Sequence, residues 1–272
     1  MTPILRGKTI GFIGAGTMGQ ALIAGLRAKG VSGRSILAVD LSAARRAQVR
    51  RLGARATADS CEVACAGDVI VLAVKPQQMA SVVSELAPCI SRRQLVISIA
   101  AGITLRWLQS RLPGAPIIRV MPNLPATVGQ GFAAYALGRR ATARHQEITA
   151  TLFGAVGETV AVPERLLDAV TAVSGSGPAY VFYLAHIWEA AAVALGLPRA
   201  IAHRAVERTL IGSAALLAGS KMSPEEWIAR VASKKGTTEA ALRVLARRGV
   251  SRHVAEALRA AARRSRALSR RR

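Results

Sequence analysis

Apolar and polar positions follow different patterns in the two halves of this chain. Before about residue 164, short apolar runs alternate with stretches in which apolar residues recur every three or four positions. The apolar runs predict strands at Thr9–Ile13, Ser35–Val39, Asp68–Val74, Gln94–Ile99 and Ile117–Met121, with two further candidates at Gly131–Tyr135 and Glu158–Val162. The periodic stretches predict helices at Thr17–Lys29, Ser42–Leu52, Pro76–Leu86 and Thr104–Gln109. Because runs without polar interruption are typical of parallel strands covered on both faces, we predict a doubly wound α/β domain over residues 1–164.

Strand patterns disappear after Pro163, and helical periodicity dominates the rest of the chain. The predicted helices are Leu166–Val173, Pro178–Leu195, Pro198–Ala218, Pro224–Val231, Thr238–Arg247 and Val254–Leu268. Prolines stand in first turns and glycines follow last turns, which is the usual asymmetry of helix ends. Residues 165–272 are therefore predicted to form an all-α domain.

Composition narrows the class of protein. Hydrophobic residues make up 51% of the 272 residues, which favours a globular protein with a large core. Residues 179–197 approach the length of a membrane span, but His186 and Glu189 lie mid-segment, so we expect a central or interface helix and no membrane association. Cys61 and Cys65 have no further zinc ligand nearby in sequence. We expect buried free thiols, no metal, and a cytoplasmic protein without a signal peptide.

The formal net charge of +23 is extreme, and 32 of the 38 basic residues are arginine. Arginines are densest in the tail, residues 259–272. A basic helix and tail are compatible with nucleic-acid contact, but no nucleic-acid-binding motif accompanies them and aromatic residues are only 4%. We therefore favour an arginine-rich surface on a protein with anionic ligands, without a specific nucleic-acid partner.

A glycine motif follows the first predicted strand and opens the first predicted helix. Gly14 permits a tight turn, Gly16 allows close approach of a pyrophosphate, and Gly19 allows close packing of helix and strand. Phosphates would bind the free N–H groups at the helix N-terminus, where the helix dipole favours anions. This order of elements predicts a dinucleotide site.

Further loops at the carboxyl ends of the strands complete the predicted cleft. The candidate cofactor contacts are Gly14, Gly16, Thr17, Met18, Gly19, Asp40, Ser42, Arg45, Ser60, Val74, Lys75, Pro76, Ala100 and Asn123. Asp40 favours NADH, because an acid there binds the ribose hydroxyls and repels a 2′-phosphate, unless it only caps the next helix. Ser42, Arg45 and Arg46 would instead bind that phosphate. We favour NADPH slightly and expect NADH to be used as well.

Two clusters of small residues lie in the helical half. Residues 174–178 (SGSGP) precede one predicted helix and residues 233–238 (SKKGTT) precede another. Each is expected to offer free N–H groups and hydroxyls at a helix start, where a carboxylate would bind. For either cluster alone, a plain helix cap is the favoured interpretation, and the presence of both clusters is what suggests a carboxylate site.

Ordered motifs across nearly the whole chain, from about Thr9 to about Leu268, resemble the pyrroline-5-carboxylate reductase family. The motifs are FIGAGTMGQAL, AVKP, SIAAGIT, RVMPNLPATVGQG, TAVSGSGPAYVF, GLPRAIA and SKKGTTEAAL. The resemblance implies a Rossmann domain, a helical domain that interlocks two protomers, and reduction of a cyclic imine to L-proline with NADPH or NADH. It also implies that residues 233–238 complete the active site of the neighbouring subunit.

The resemblance implies specific roles for residues of the helical half. Thr238 would hydrogen-bond the substrate nitrogen, Ser233, Gly236 and Thr237 would bind its carboxylate, and Ser176 would lie near the nicotinamide. The residues agree with an imine substrate, because no histidine falls in a candidate loop to act as the general acid that ketone reduction needs.

Departures from the family pattern leave alternatives open. The usual loop reads Ser-Pro-Gly-Gly-Thr-Thr, but Lys234 and Lys235 replace the proline and first glycine, and Leu124 stands where threonine is common. We hypothesise that the two lysines favour a more acidic substrate or contact the cofactor phosphate across the dimer. Reduction of a related cyclic imine acid, or a cofactor-binding scaffold without catalysis, remain alternatives. A β-hydroxyacid dehydrogenase is disfavoured, because residues 179–195 contain no lysine.

Overall fold

The computed structural model describes residues 3–270, so the last two arginines of the basic tail lie outside the described residues. The strands are β1 Ile10–Ile13, β2 Ile36–Val39, β3 Arg55–Thr57, β4 Val69–Leu72, β5 Leu95–Ser98, β6 Ile117–Met121, β7 Gly131–Leu137 and β8 Gly157–Ala161. The helices that accompany them are α1 Thr17–Ala28, α2 Ala43–Arg51, α3 Ser60–Ala66, α4 Met79–Leu86, α5 Leu105–Arg111, α6 Ala143–Gly154 and α7 Leu167–Val170. The helical half contains α8 Gly177–Ala194, α9 Arg199–Ala218, α10 Pro224–Val231, α11 Thr237–Arg247 and α12 Val250–Arg270.

All eight strands form one sheet in the order β3-β2-β1-β4-β5-β6-β7-β8. The chain leaves β1 in one direction toward β2 and returns to its other side with β4, which creates the switch point where nucleotides bind in such sheets. Two buried clusters, one including Phe12 and the other Ile13, lie on opposite faces of the sheet. This arrangement confirms the predicted doubly wound fold.

The sheet is mostly parallel, with one antiparallel pair. β6 and β7 pair antiparallel, and β8 then pairs parallel to β7. Only residues 122–130, which include a short 3-10 helix, join β6 to β7. This connection is too short for the helical crossover that parallel neighbours need, whereas α6 supplies such a crossover between β7 and β8.

The compact units divide after Ser176 and again after Ala260, so that residues 261–270 of α12 belong to the unit that contains the sheet. Within that unit, Ser265 donates a 2.6 Å hydrogen bond to Asp168, and Leu268 lies against Gly102. The domain boundary predicted at residue 164 follows the change from strands to helices, and it stays a prediction.

The three cysteines are free, as predicted, but they are not buried. Cys65 is exposed, and Cys61 and Cys89 are half-buried. Hydrogen bonds with Cys61 and then Cys65 raise the pKa of the Cys89 thiol to about 11. The short helix α3 carries Cys61 and Cys65 at the protein surface, which explains why a helical turn between them did not imply burial.

Candidate active site

The turn after β1 requires glycine. Gly14 has a φ of 101°, and a Cβ there would lie 2.9 Å from the carbonyl oxygen of Ala73. Its N–H donates to the carbonyl oxygen of Val39, 2.9 Å away, so the turn is fixed between β1 and β2. Both the dihedral angle and the neighbouring carbonyl would oppose a side chain.

The N-terminus of α1 is open. Its first flanking residue, Gly16, supplies no side-chain cap, and a Cβ there would meet no atom within 4 Å. A Cβ on Gly19 would lie 2.7 Å from the carbonyl oxygen of Gly14, so helix and turn pack backbone to backbone. An anion can therefore approach the free amides of Thr17 and Met18 closely, as the motif predicted.

A carboxylate stabilises this turn from the next strand. Asp40 accepts hydrogen bonds from the N–H groups of Ala15 at 3.0 Å and Ser42 at 2.9 Å. Arg45 lies 3.4 Å from the same carboxylate, and the Asp40 side chain is only 9% exposed. Ser42 caps α2 by accepting from the N–H of Arg45. The acid thus links the glycine turn to α2.

The remaining predicted cofactor contacts follow the carboxyl ends of neighbouring strands. Ser60 follows β3, residues 74–76 follow β4, Ala100 follows β5 and Asn123 follows β6. Lys75 is exposed and Ala100 is buried. These positions share one edge of the sheet with the glycine turn, where the prediction put them.

Both ends of the Asn123 amide are engaged within the protein. Its oxygen accepts from the N–H of Phe132 at 2.8 Å, and its nitrogen donates to the Ser174 hydroxyl at 3.0 Å. The side chain therefore connects the end of β6 to the start of β7 and to the serine–glycine cluster. Ser174 was not predicted to have this role, and no sequence signal indicates it.

The structure corrects the prediction that residues 174–178 offer free N–H groups at a simple helix start. Residues Thr171–Gly175 form a π-helical turn between α7 and α8, rather than an uncapped helix start. The N–H of Ser176 donates to the carbonyl oxygen of Thr171 at 2.8 Å, so it is not free for a ligand. π-turns of this kind are frequent at functional sites, which keeps the Ser176 hydroxyl a candidate.

The loop before α11 has the predicted free helix start. Gly236 flanks the helix without a side-chain cap. Within the described residues 3–270, no hydrogen bond is made by the hydroxyls of Ser233, Thr237 or Thr238, and the Thr238 side chain is half-buried. Free amides and three free hydroxyls at the positive end of a helix form a site that fits a carboxylate and one further polar atom.

A glutamate that the sequence did not single out fixes this loop. Glu239 accepts a hydrogen bond from the N–H of Lys235 and pairs with Arg243 at 3.2 Å. A glutamate in the third helical position commonly reaches back toward the residue that precedes the helix, so the spacing from Gly236 to Glu239 was an available signal.

α8 is apolar but lacks cover in the single chain. None of its side chains in the described structure is buried, and Phe182 and Tyr183 are 61% and 67% exposed. In the part of the chain that the structure describes, no helix has the length and apolarity to cross a membrane. An apolar face of this extent indicates contact with another protein surface.

None of the four histidines falls within the sequence of these loops, as expected. His203 lies on the exposed surface of α9, with its ring nitrogen 2.9 Å from the carboxylate of Glu189. Among residues 3–270, no cluster of three or more histidine, cysteine or acidic side chains is arranged to hold a metal ion.

A glycine turn at the switch point of a doubly wound sheet, followed by a helical unit, defines the class of dinucleotide-binding α/β proteins. Comparisons with known proteins agree. Residues 9–102 match the family model described as NADP oxidoreductase coenzyme F420-dependent, and residues 164–268 match pyrroline-5-carboxylate reductase dimerisation.

Individual relatives identify the family. A pyrroline-5-carboxylate reductase from Synechocystis is 41% identical, over 95% of this chain and 97% of its own length. The structure of the enzyme from Coxiella burnetii aligns with a TM-score of 0.91 at 32% identity, over 96% of this chain and 98% of its own. A Plasmodium falciparum pyrroline carboxylate reductase with NADP bound aligns at 0.86 and 27% identity, over 97% of this chain and 98% of its own. The chain belongs to the pyrroline-5-carboxylate reductase family.

Proposed function

We propose that this chain reduces the C=N bond of Δ1-pyrroline-5-carboxylate to give L-proline, using NADPH and, less readily, NADH. The observation that carries the proposal is the uncapped start of α11, where free amides adjoin the unbonded hydroxyls of Ser233, Thr237 and Thr238. Family membership supports the reaction, and the NADP in the Plasmodium relative supports the cofactor.

The cofactor-binding roles assigned from the sequence fit the geometry of the turn after β1. The free amides of Thr17 and Met18 would bind the pyrophosphate, and Gly16 leaves the approach clear. Asp40, Ser42 and Arg45 would contact the ribose and any 2′-phosphate. When bound, the nicotinamide supplies the hydride.

Orientation is the main task of the substrate residues. The amide of Thr237 and the hydroxyl of Ser233 would hold the carboxylate beside Gly236, whose own N–H closes the turn to Ser233. The Thr238 hydroxyl would accept a hydrogen bond from the N–H of the protonated imine. A cyclic imine is basic enough to bind with its proton, so hydride addition to carbon completes the reaction without a general acid. The absence of histidine from these loops fits this chemistry.

Replacing Thr238 tests the reaction. For Thr238→Ala we expect kcat/KM with pyrroline-5-carboxylate to fall about 100-fold, the usual effect of losing one oriented hydrogen bond to the transition state. Thr238→Ser should retain part of the rate, and Thr151→Ala on α6 is the matched control. NADPH consumption measures each, with NADH and the six-membered homologue in parallel. Wild-type protein that binds NADPH but reduces neither imine would instead support a scaffold without catalysis.

We further propose that two copies pair through the exposed faces of α8 and its neighbours, and that residues 233–238 of one copy complete the site of the other. The exposed apolar side chains and the dimerisation model support pairing. The proposal includes assembly beyond a dimer. It also includes a cytoplasmic location, with which the free cysteines agree because they suit a reducing compartment.

Complementation distinguishes a shared site from a site within one chain. Co-expression of Thr238→Ala with a Gly14→Asp variant that cannot bind cofactor would create mixed pairs. In a shared site, the intact loop of the second variant serves the intact cofactor domain of the first, so activity returns. If each chain contains its own complete site, the mixture stays inactive.

A further inference from the structure

The loop at residues 233–236 is a β-turn built from unfavourable residues. The N–H of Gly236 donates to the carbonyl oxygen of Ser233 at 3.0 Å, which closes a four-residue turn. Lys235, in its third position, has a φ of 61° and is the only non-glycine residue with positive φ in the part of the chain that the structure describes. This pattern is that of a type II turn, which prefers proline second and glycine third.

Lys234 and Lys235 occupy those two positions, so the turn loses both of its intrinsic supports. Lys234 does not restrict its backbone as proline would, and Lys235 carries a Cβ in the left-handed region. The conformation must therefore be maintained by contacts with the rest of the protein.

Glu239 supplies such a contact. Its carboxylate accepts a hydrogen bond from the N–H of Lys235, and the guanidinium of Arg243 lies 3.2 Å from the other carboxylate oxygen. Glu239 is in the first turn of α11, where a negative charge is favoured by the helix dipole. The glutamate thus joins the strained residue to the helix that follows it.

The turn also brings Gly236 close to the Ser233 side chain. A Cβ on Gly236 would lie 2.3 Å from the hydroxyl oxygen of Ser233, so the two residues are in close contact. A change in the backbone at Lys235 would therefore alter where the Ser233 hydroxyl lies relative to the Thr237 amide and the Thr238 hydroxyl, which are the groups proposed to bind the substrate.

We propose that Glu239 is a positioning residue, which holds Lys235 in its left-handed conformation and thereby preshapes the substrate loop. This inference rests on the proposed function for its kinetic consequence. The Glu239 side chain does not contact the substrate in this proposal; it acts through the backbone of Lys235.

A double-mutant cycle tests the proposal. For Glu239→Ala we expect the KM for the imine to rise about 5- to 30-fold, with a smaller change in kcat. This factor is the decrease in the population of the correctly folded loop that the conformational cost of one left-handed non-glycine residue would cause. Lys235→Gly should rescue it, because glycine adopts this φ without strain: the double variant Lys235→Gly/Glu239→Ala should lie within about twofold of Lys235→Gly alone. Glu239→Gln, which keeps an acceptor oxygen, should resemble the wild type.

Two controls make the result decisive. Arg243→Ala removes the ion pair but leaves the bond to Lys235, so it should change KM little. Amide exchange at Lys235 gives a readout without turnover, and it should accelerate in Glu239→Ala. An equal rise in KM from Glu239→Ala with lysine or glycine at position 235 would overturn the proposal. Wild-type protein without imine reduction, but with Glu239-dependent protection of the Lys235 amide, would refute the proposed function and leave the turn mechanism intact.

Discussion

The two proposed anion sites, the turn before α1 and the loop before α11, both present free helix amides, but they are built from different residues. In the sheet unit, Gly14 occupies the positive-φ position of the turn before α1. In the helical unit, Lys235 has the positive φ in the turn before α11. Both helices begin without a side-chain cap, so both present free amides. In each turn a carboxylate accepts a backbone N–H and pairs with an arginine four or five residues further on.

The difference lies in what maintains each turn. The glycine turn is strain-free, and the carboxylate of Asp40 is almost buried. The lysine turn is strained, and the Glu239 carboxylate is 40% exposed. The glycine turn should therefore keep its backbone conformation without its carboxylate, whereas the lysine turn should not. The glycine turn should, however, tolerate no side chain of its own.

Adding a methyl group to the glycine turn should have the largest effect. Gly14→Ala places a Cβ at a φ of 101° and 2.9 Å from a carbonyl oxygen, so we expect about 2 kcal/mol of destabilisation and loss of NADPH binding. Gly16→Ala is the matched control, because its Cβ meets no protein atom. It should weaken NADPH at least tenfold while the free energy of unfolding changes by less than about 0.5 kcal/mol. Denaturant titration measures the free energy of unfolding, and cofactor fluorescence measures the NADPH affinity. Unchanged NADPH affinity in Gly16→Ala would show that the pyrophosphate does not bind at this turn.

Replacing Asp40 should have an intermediate effect. Asp40→Ala leaves the N–H groups of Ala15 and Ser42 without their acceptor, which should cost about 2 kcal/mol of stability. Asp40→Asn keeps an acceptor oxygen and removes the charge, so it should shift the ratio of kcat/KM values toward NADPH by about tenfold. An unchanged cofactor ratio in Asp40→Asn would show that the acid only supports the turn.

Removing the two lysine charges should have a smaller effect. For Lys234→Ala combined with Lys235→Ala we expect the KM for the imine or for NADPH to rise about threefold, because both side chains are exposed to screening solvent. The rise should vanish at high salt, which separates charge from turn geometry. Lys221→Ala, also exposed in the helical unit, is the control. Unchanged Michaelis constants for both ligands would end the hypothesis that these lysines select an anion.

The sequence predicted the elements that carry an unbroken apolar or periodic pattern. β1, β4 and the glycine turn were located within one or two residues, because each is fixed by local burial. β3, α3 and α6 were not predicted, since β3 has three residues and an exposed arginine, α3 has only seven residues, and the first five residues of α6 (ARHQE) include no large apolar side chain.

Long-range contacts explain the rest of what was missed in the candidate site. The π-turn at Thr171–Gly175 has the composition of a plain helix cap, and the bond from Asn123 to Ser174 joins residues 51 positions apart. The hydrogen bond from the N–H of Lys235 to Glu239 depends on the positive φ of Lys235, and a lysine at that position does not indicate such an angle. Motifs locate such loops, and spacing can point to a local partner such as Glu239, but distant contacts and backbone angles are found only in the folded chain.

The start of a third helix, α6, has the side-chain cap that α1 and α11 lack. α6 begins with a complete capping box: Thr142 accepts from the N–H of His145, and the His145 ring nitrogen lies 3.1 Å from the N–H of Thr142 as its acceptor. Its amides are occupied by its own side chains, so no anion site is expected there. The ring must be neutral to accept this bond, and burial, followed by the charges of Arg144 and Lys8, lowers the pKa of His145.

This cap should make a small, pH-dependent contribution to stability. Because the pKa of His145 is lower in the folded protein, the unfolded chain binds the proton more readily, so the contribution is present above the unfolded value of 6.5 and lost as the pH falls below it. His145→Gln keeps an acceptor without a titrating proton. We expect the wild type to lose about 0.5 kcal/mol relative to His145→Gln between pH 8 and pH 5, as for a weak helix cap. Parallel unfolding curves at the two pH values would show that His145 does not titrate against this bond, and that the cap is formed by Thr142 alone.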